Sequence, residues 1–72
     1  MKLTPRGRKA AAGMAATAGR EAGRAFTLAI GMARDLKQVA EAFLTLDRAC
    51  GLDGTPNSRE TWRQVAGHLA TE

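Results

Sequence analysis

The segment Asp35 to Gly51, DLKQVAEAFLTLDRACG, decides how the rest of the chain is read. Asp35 with Gln38 three residues later forms a capping-box-like start, an acid placed to accept orphan amides and a glutamine placed to reach back. Leu36, Val39, Ala40, Phe43, Leu46, Ala49 and Cys50 then fall on one stripe at helical spacing. Gly51 stands where a left-handed cap ends such a helix. A helix with this apolar stripe needs neighbours that offer apolar faces of their own, and the flanking sequence is searched for them.

Downstream, Gly51 to Asn57 (GLDGTPN) combines two glycines, Asp, Asn and Pro, and reads as a loop with at least one tight turn, Leu52 folding back onto the core. Asn57 with Glu60, or Ser58 alone, can cap a last helix of about three turns. Its apolar residues are Trp62, Val65, Ala66 and Leu69.

Upstream, Thr4 before Pro5 marks a helix start, because the Thr oxygen can accept an amide and proline's missing donor is harmless in the first turn. Met14, Ala18, Ala25, Leu28 and Met32 follow as an apolar seam. Gly7, Gly13, Gly19, Gly23 and Gly31 interrupt it, each costing about 0.8–1 kcal/mol relative to Ala in a helix interior. Two readings account for them. Ala15, Gly19 and Gly23, four apart, form a groove without side chains through which two copies could pair; alternatively the chain breaks between Gly19 and Gly23 into two shorter helices.

No stretch alternates apolar and polar residues with period two, and β-branched residues are sparse, so the fold class is all-α, a small bundle of three to four helices. The 72 residues make a single domain, residues 1–72, with a basic N-terminal arm at residues 1–9. Expected core residues are Met14, Phe26, Leu28, Ile30, Met32, Leu36, Val39, Phe43, Leu46, Leu52, Trp62, Val65 and Leu69. A bundle of this size reaches only about 3–5 kcal/mol of stability without a staple. Cys50 is the single cysteine and His68 the single histidine, which rules out an internal disulfide or a four-ligand structural zinc site. No metal or other cofactor is expected.

Charge is distributed unevenly. The first 34 residues carry seven bases against Glu21 alone, net +6, and the remainder carries net −2. The candidate binding residues are Lys2, Arg6, Arg8 and Lys9 of the arm together with Arg20 and Arg24. Lys9, Gly13 and Ala16 extend the Arg20 and Arg24 face into a basic stripe. Solvated faces usually mix both signs, so this asymmetry points to nucleic acid or an acidic protein surface of a larger machine as partner. The plain alternative is a solvated face with Glu21 paired to Arg24.

Other functional readings are weaker. A helix-turn-helix frame on Val39, Ala40 and Phe43 places Leu44 where the turn glycine belongs and gives a short recognition helix carrying Asp47. Trp62 between Arg59 and Arg63 could stack a base, but as the chain's only Trp it reads more simply as core. Paired carboxylates, a catalytic triad and a phosphate loop are absent, so no enzyme is expected. Ala25 to Ala33, nine uncharged residues, is far short of a bilayer span of about 20. A lone thiol without a signal-peptide pattern points to the cytoplasm. The reading that follows is a small non-enzymatic regulatory protein binding within the transcription or nucleic-acid-processing machinery. Its alternative is an inhibitor or adaptor that docks on an acidic surface, such as that of RNA polymerase or a nuclease complex, without touching nucleic acid.

Overall fold

A computed structural model of the chain describes residues 1–51 and 58–71, and side chains at all of these except 58 and 59. The expectations for Leu52, for most of the Gly51 to Asn57 turn, for the Asn57 or Ser58 cap and for Arg59 lie outside these residues.

The capping signals at Asp35 operate as written in the sequence. Asp35 Oδ1 accepts the Gln38 amide at 2.8 Å, while Gln38 Oε1 accepts from the Arg34 amide, one residue further back than the usual reciprocal bond. The helix runs Leu36–Ala49 without interruption and closes at Gly51, whose φ of 76° is the left-handed conformation glycine adopts freely. The helix-turn-helix frame therefore fails: the backbone is helical through Leu44, and Leu44 is buried where the motif would turn.

In chain order the elements are β1 (Lys2–Leu3), α1 (Pro5–Ala18), α2 (Arg20–Met32), α3 (Leu36–Ala49), α4 (Ser58–Leu69) and β2 (Ala70–Thr71). The fold is a small all-α bundle of four helices among the described residues. Its one addition is a two-residue ribbon that pairs β1 antiparallel with β2, Lys2 opposite Thr71 and Leu3 opposite Ala70. So short a ribbon has no period-two signature to read. Helix α3 is central, packing against α4, α2 and α1.

The break between the first two helices falls at Gly19, which settles the two readings of the glycines. Its φ of 102° and ψ of 172° lie in a region open essentially to glycine alone. Its amide closes α1 on the Ala15 carbonyl and its own carbonyl accepts the Gly23 amide to start α2. Ala15, Gly19 and Gly23 thus do not lie on one continuous helix, which is the second of the two readings of the glycines. A Cβ at Gly23 would sit 3.4 Å from Ala15 Cβ, so these small residues serve close approach of α1 and α2 within one chain.

The break also redirects the seam. Val39, Phe43, Leu46, Phe26, Ile30 and Leu69 are buried as expected, and Met14, Trp62 and Val65 pack half-buried against them. Leu28, Met32 and Leu36 are not core: they are 68%, 75% and 41% exposed. A helix restarted at Gly19 takes its phase from Ala22, Phe26 and Ile30, which leaves Leu28 on the opposite side. Ala42 and Leu44 are buried although they lie off the expected stripe, because α3 is enclosed on more than one side.

Three aromatic rings join three helices. Phe26 meets Phe43 edge to face at 4.8 Å, and Phe43 stacks on Trp62 at 5.2 Å. Such pairs contribute about 0.5–1.5 kcal/mol each beyond their burial. The Trp62 indole N–H donates to Asp47 Oδ2 at 3.0 Å, which satisfies its one polar group.

Candidate functional site

The first nine residues are not a loose arm. The Thr4 amide donates to the Leu69 carbonyl at 2.9 Å and its hydroxyl to the His68 carbonyl at 3.0 Å. The same Thr4 Oγ1 accepts the Gly7 amide at 3.1 Å, capping α1. Gly7 allows this closeness, because a Cβ there would collide with the Leu69 carbonyl oxygen. The start of α1 is thereby fixed onto the end of α4, and the cations on it have defined positions.

Lys2 sits in the ribbon, and Arg6, Arg8 and Lys9 occupy the first two turns of α1. Arg20 and Arg24 lie on the first two turns of α2. All six side chains are exposed. The basic stripe expected over one helix is divided by Gly19, with Lys9, Gly13 and Ala16 on exposed positions of α1 and Arg20 and Arg24 on exposed positions of α2. Among the described residues no hydrogen bond or ion pair takes up these six side chains, and Glu21 makes no direct ion pair with Arg24. The first turn of α1 contains no acidic residue. Cations near a helix N-terminus oppose the helix dipole, and an anion at the same place relieves both.

Trp62 is half-buried in the core cluster. Its ring is committed to Phe43 and its N–H to Asp47, which is the simpler of the two sequence readings. His68 is exposed, and no cluster of metal-ligating side chains occurs among the described residues. The half-buried Cys50 thiol donates to the Met14 carbonyl at 3.1 Å, a packing role that ties α3 to α1. Among the described residues no helix is long and apolar enough to cross a membrane.

One feature is new. A cleft of about 600 Å³ runs between α2 and α3, with Ala25, Ala29 and Met32 facing Ala42, Leu46 and Ala49, and Phe26 contributing to its apolar lining. Asp35, Lys37, Gln38 and Glu41 line it at the N-terminal half of α3. The signal in the sequence was the small, apolar run Ala25 to Ala33, but it reads as core until the break at Gly19 fixes which side faces out. No family model matches the sequence, and no curated protein or solved structure is significantly similar to it.

Proposed function

We propose that this chain is a small non-enzymatic regulatory protein that binds within the transcription or nucleic-acid-processing machinery through the basic surface of its N-terminal half. The observation that carries the reading is the set of exposed, unneutralised cations Lys2, Arg6, Arg8, Lys9, Arg20 and Arg24, held at fixed positions by the ribbon and the first turns of two helices. Seven bases against one acid in the first 34 residues, with no acid in the first turn of α1, leave a positive potential that an external polyanion would relieve. Phosphate contact requires no base reading, so the lack of a recognition helix is no obstacle.

Binding to a generic duplex and to a single strand, followed against salt, tests this. A log-log slope of several units is expected, and Arg20→Gln with Arg24→Gln should reduce it by about two. No binding at low salt would turn the reading down. The second reading, docking on an acidic protein surface without nucleic acid, is favoured by the apolar cleft, a feature that phosphate contact does not use. Its sign would be a stoichiometric protein complex that survives nuclease treatment.

A further inference from the structure

We infer that the polyanion taken by the basic half is a nucleic-acid duplex, held on the exposed face that α1 and α2 form together. The inference rests on the polyanion reading and deepens it by naming the form of the partner. The two helices make a hairpin with Gly19 at its tip. Ala15 and Gly23 come close beside that tip. At the other end of α2 the Ala33 carbonyl accepts from the Met1 nitrogen at 3.5 Å, and β1 packs against α2. Helix α2 therefore runs back toward the start of α1.

Helical phase places the cations on this face. On α1, Gly7 and Ala11 are buried, so Lys9 and Ala16 lie near the middle of the outer side, with Arg6 and Arg8 on its two flanks. On α2, Phe26 and Ile30 are buried and Gly23 meets α1. Arg20, Arg24 and Thr27 are exposed on the flank next to Gly23 and so border α1, whereas Glu21 lies beyond Arg24, on the side away from α1. The cations thus form two groups. Lys2, Arg6, Arg8 and Lys9 stand at the ribbon end, and Arg20 and Arg24 stand at the Gly19 end. The ten residues from Lys9 to Gly19 correspond to about 15 Å of helix. Ala12, Gly13, Ala16, Thr17 and Thr27 are the exposed residues between the groups, and none is acidic or longer than threonine.

A duplex suits this arrangement better than a single strand. Its strands hold phosphates in two rows across a groove about 12 Å wide, so both cation groups can meet phosphate at once. The short side chains between them let the helix backbones come close. A single strand keeps no such spacing, and proteins hold it by stacking bases on aromatic rings beside a basic groove. The chain has two Phe, one Trp and no Tyr. Phe26 and Phe43 are buried, and Trp62 is half-buried in α4 with its ring stacked on Phe43, so no ring stands on the α1–α2 face.

The test is fluorescence anisotropy, against salt, with a mixed-sequence DNA duplex of about 20 base pairs and with one of its strands alone. The duplex should bind about tenfold tighter than the strand at low salt. Arg8→Gln with Arg24→Gln, one cation from each group, should lower the duplex log-log slope by about two. Lys37→Gln with Arg48→Gln removes the same charge from exposed positions of α3 and should leave the slope unchanged. Ala12→Gln with Ala16→Gln adds bulk without charge and should weaken duplex binding several-fold. Its circular dichroism spectrum should not change, because both positions are exposed and Gln is a good helix former. Equal or tighter binding of the single strand would overturn the duplex assignment and leave the polyanion reading standing. An equal loss of slope from the α3 pair would also overturn it, making net charge the cause. Poly-glutamate that displaces the duplex at equal charge concentration would overturn it in favour of an acidic protein surface. No binding of either DNA at low salt would turn down both the assignment and the reading beneath it.

Discussion

Helix α3 buries six of its fourteen residues, whereas α1, of the same length, buries two, Gly7 and Ala11. The contrast extends to the helices beside them. Helix α4 brings Trp62, Val65, Ala66 and Leu69 against α3, while α2 gives Phe26 and Ile30 to the core and turns Leu28 and Met32 to solvent. The α3–α4 side holds the fold through large apolar contacts. The α1–α2 side is held through backbone hydrogen bonds, close approach at glycines and a small number of rings. That second kind of anchoring consumes few side chains, and the cations of α1 and α2 stay exposed.

The division can be broken most severely at Phe43, which is fully buried between Phe26 and Trp62. Phe43→Ala should cost about 3–5 kcal/mol. That equals the whole stability expected of a bundle this small, so circular dichroism at 25 °C should show an unfolded chain. A folded variant with a cooperative melt would mean that α3 is less central than described.

Next come the glycines that hold the α1–α2 side. Gly19→Ala forces a side chain into a conformation that only glycine tolerates, and Gly7→Ala drives a Cβ into the Leu69 carbonyl. Each should cost about 1–3 kcal/mol, measured by urea unfolding. The consequences should differ: Gly7→Ala should loosen the ribbon and expose the amides of Lys2 to Thr4 to hydrogen exchange, and Gly19→Ala should not. Gly13 and Gly31 provide the opposite sign. A Cβ at either meets nothing within 4 Å, both lie inside helices, and replacement by Ala should stabilise by about 0.5–1 kcal/mol. Destabilisation there would show that α1 or α2 uses those glycines for something outside the single chain.

Trp62→Phe separates packing from hydrogen bonding on the α3–α4 side. It keeps an aromatic ring against Phe43 and removes the bond to Asp47, for an expected loss of about 1 kcal/mol in the melt. The smallest effect belongs to the charges. Replacing Arg6, Arg8 and Lys9 together by Gln should change stability by no more than about 0.5 kcal/mol, because their side chains are exposed and no bond within the described residues holds them. Their loss should weaken binding to polyanions, and a large change in stability would assign them to the fold.

How much could be read from the chain follows the same division. The caps at Thr4 and Asp35, the left-handed Gly51 and the core positions Val39, Phe43, Leu46 and Leu69 follow from local hydrogen-bonding chemistry and helical period, which a sequence displays directly. The six candidate binding residues could be named because charge is a property of composition, and all six are exposed. The seam through Leu28 and Met32 misled because its phase was carried across Gly19 as if the helix were continuous. The tie between Thr4 and the end of α4, which makes an ordered ribbon of what reads as a free arm, joins residues more than sixty positions apart, and no local pattern records it.

By itself, then, the sequence determined that this protein is helical, where α1 and α3 begin, which residues of α3 must be buried and where the positive charge lies, because propensity, capping and charge act over a few residues. The tertiary structure alone decided that Gly19 divides the first helix, that Ala15 and Gly23 pack on each other within one chain, and that Leu28 and Met32 face outward beside a groove. Each of these depends on the angle at which one helix crosses another, and that angle is set by contacts between residues far apart in the chain.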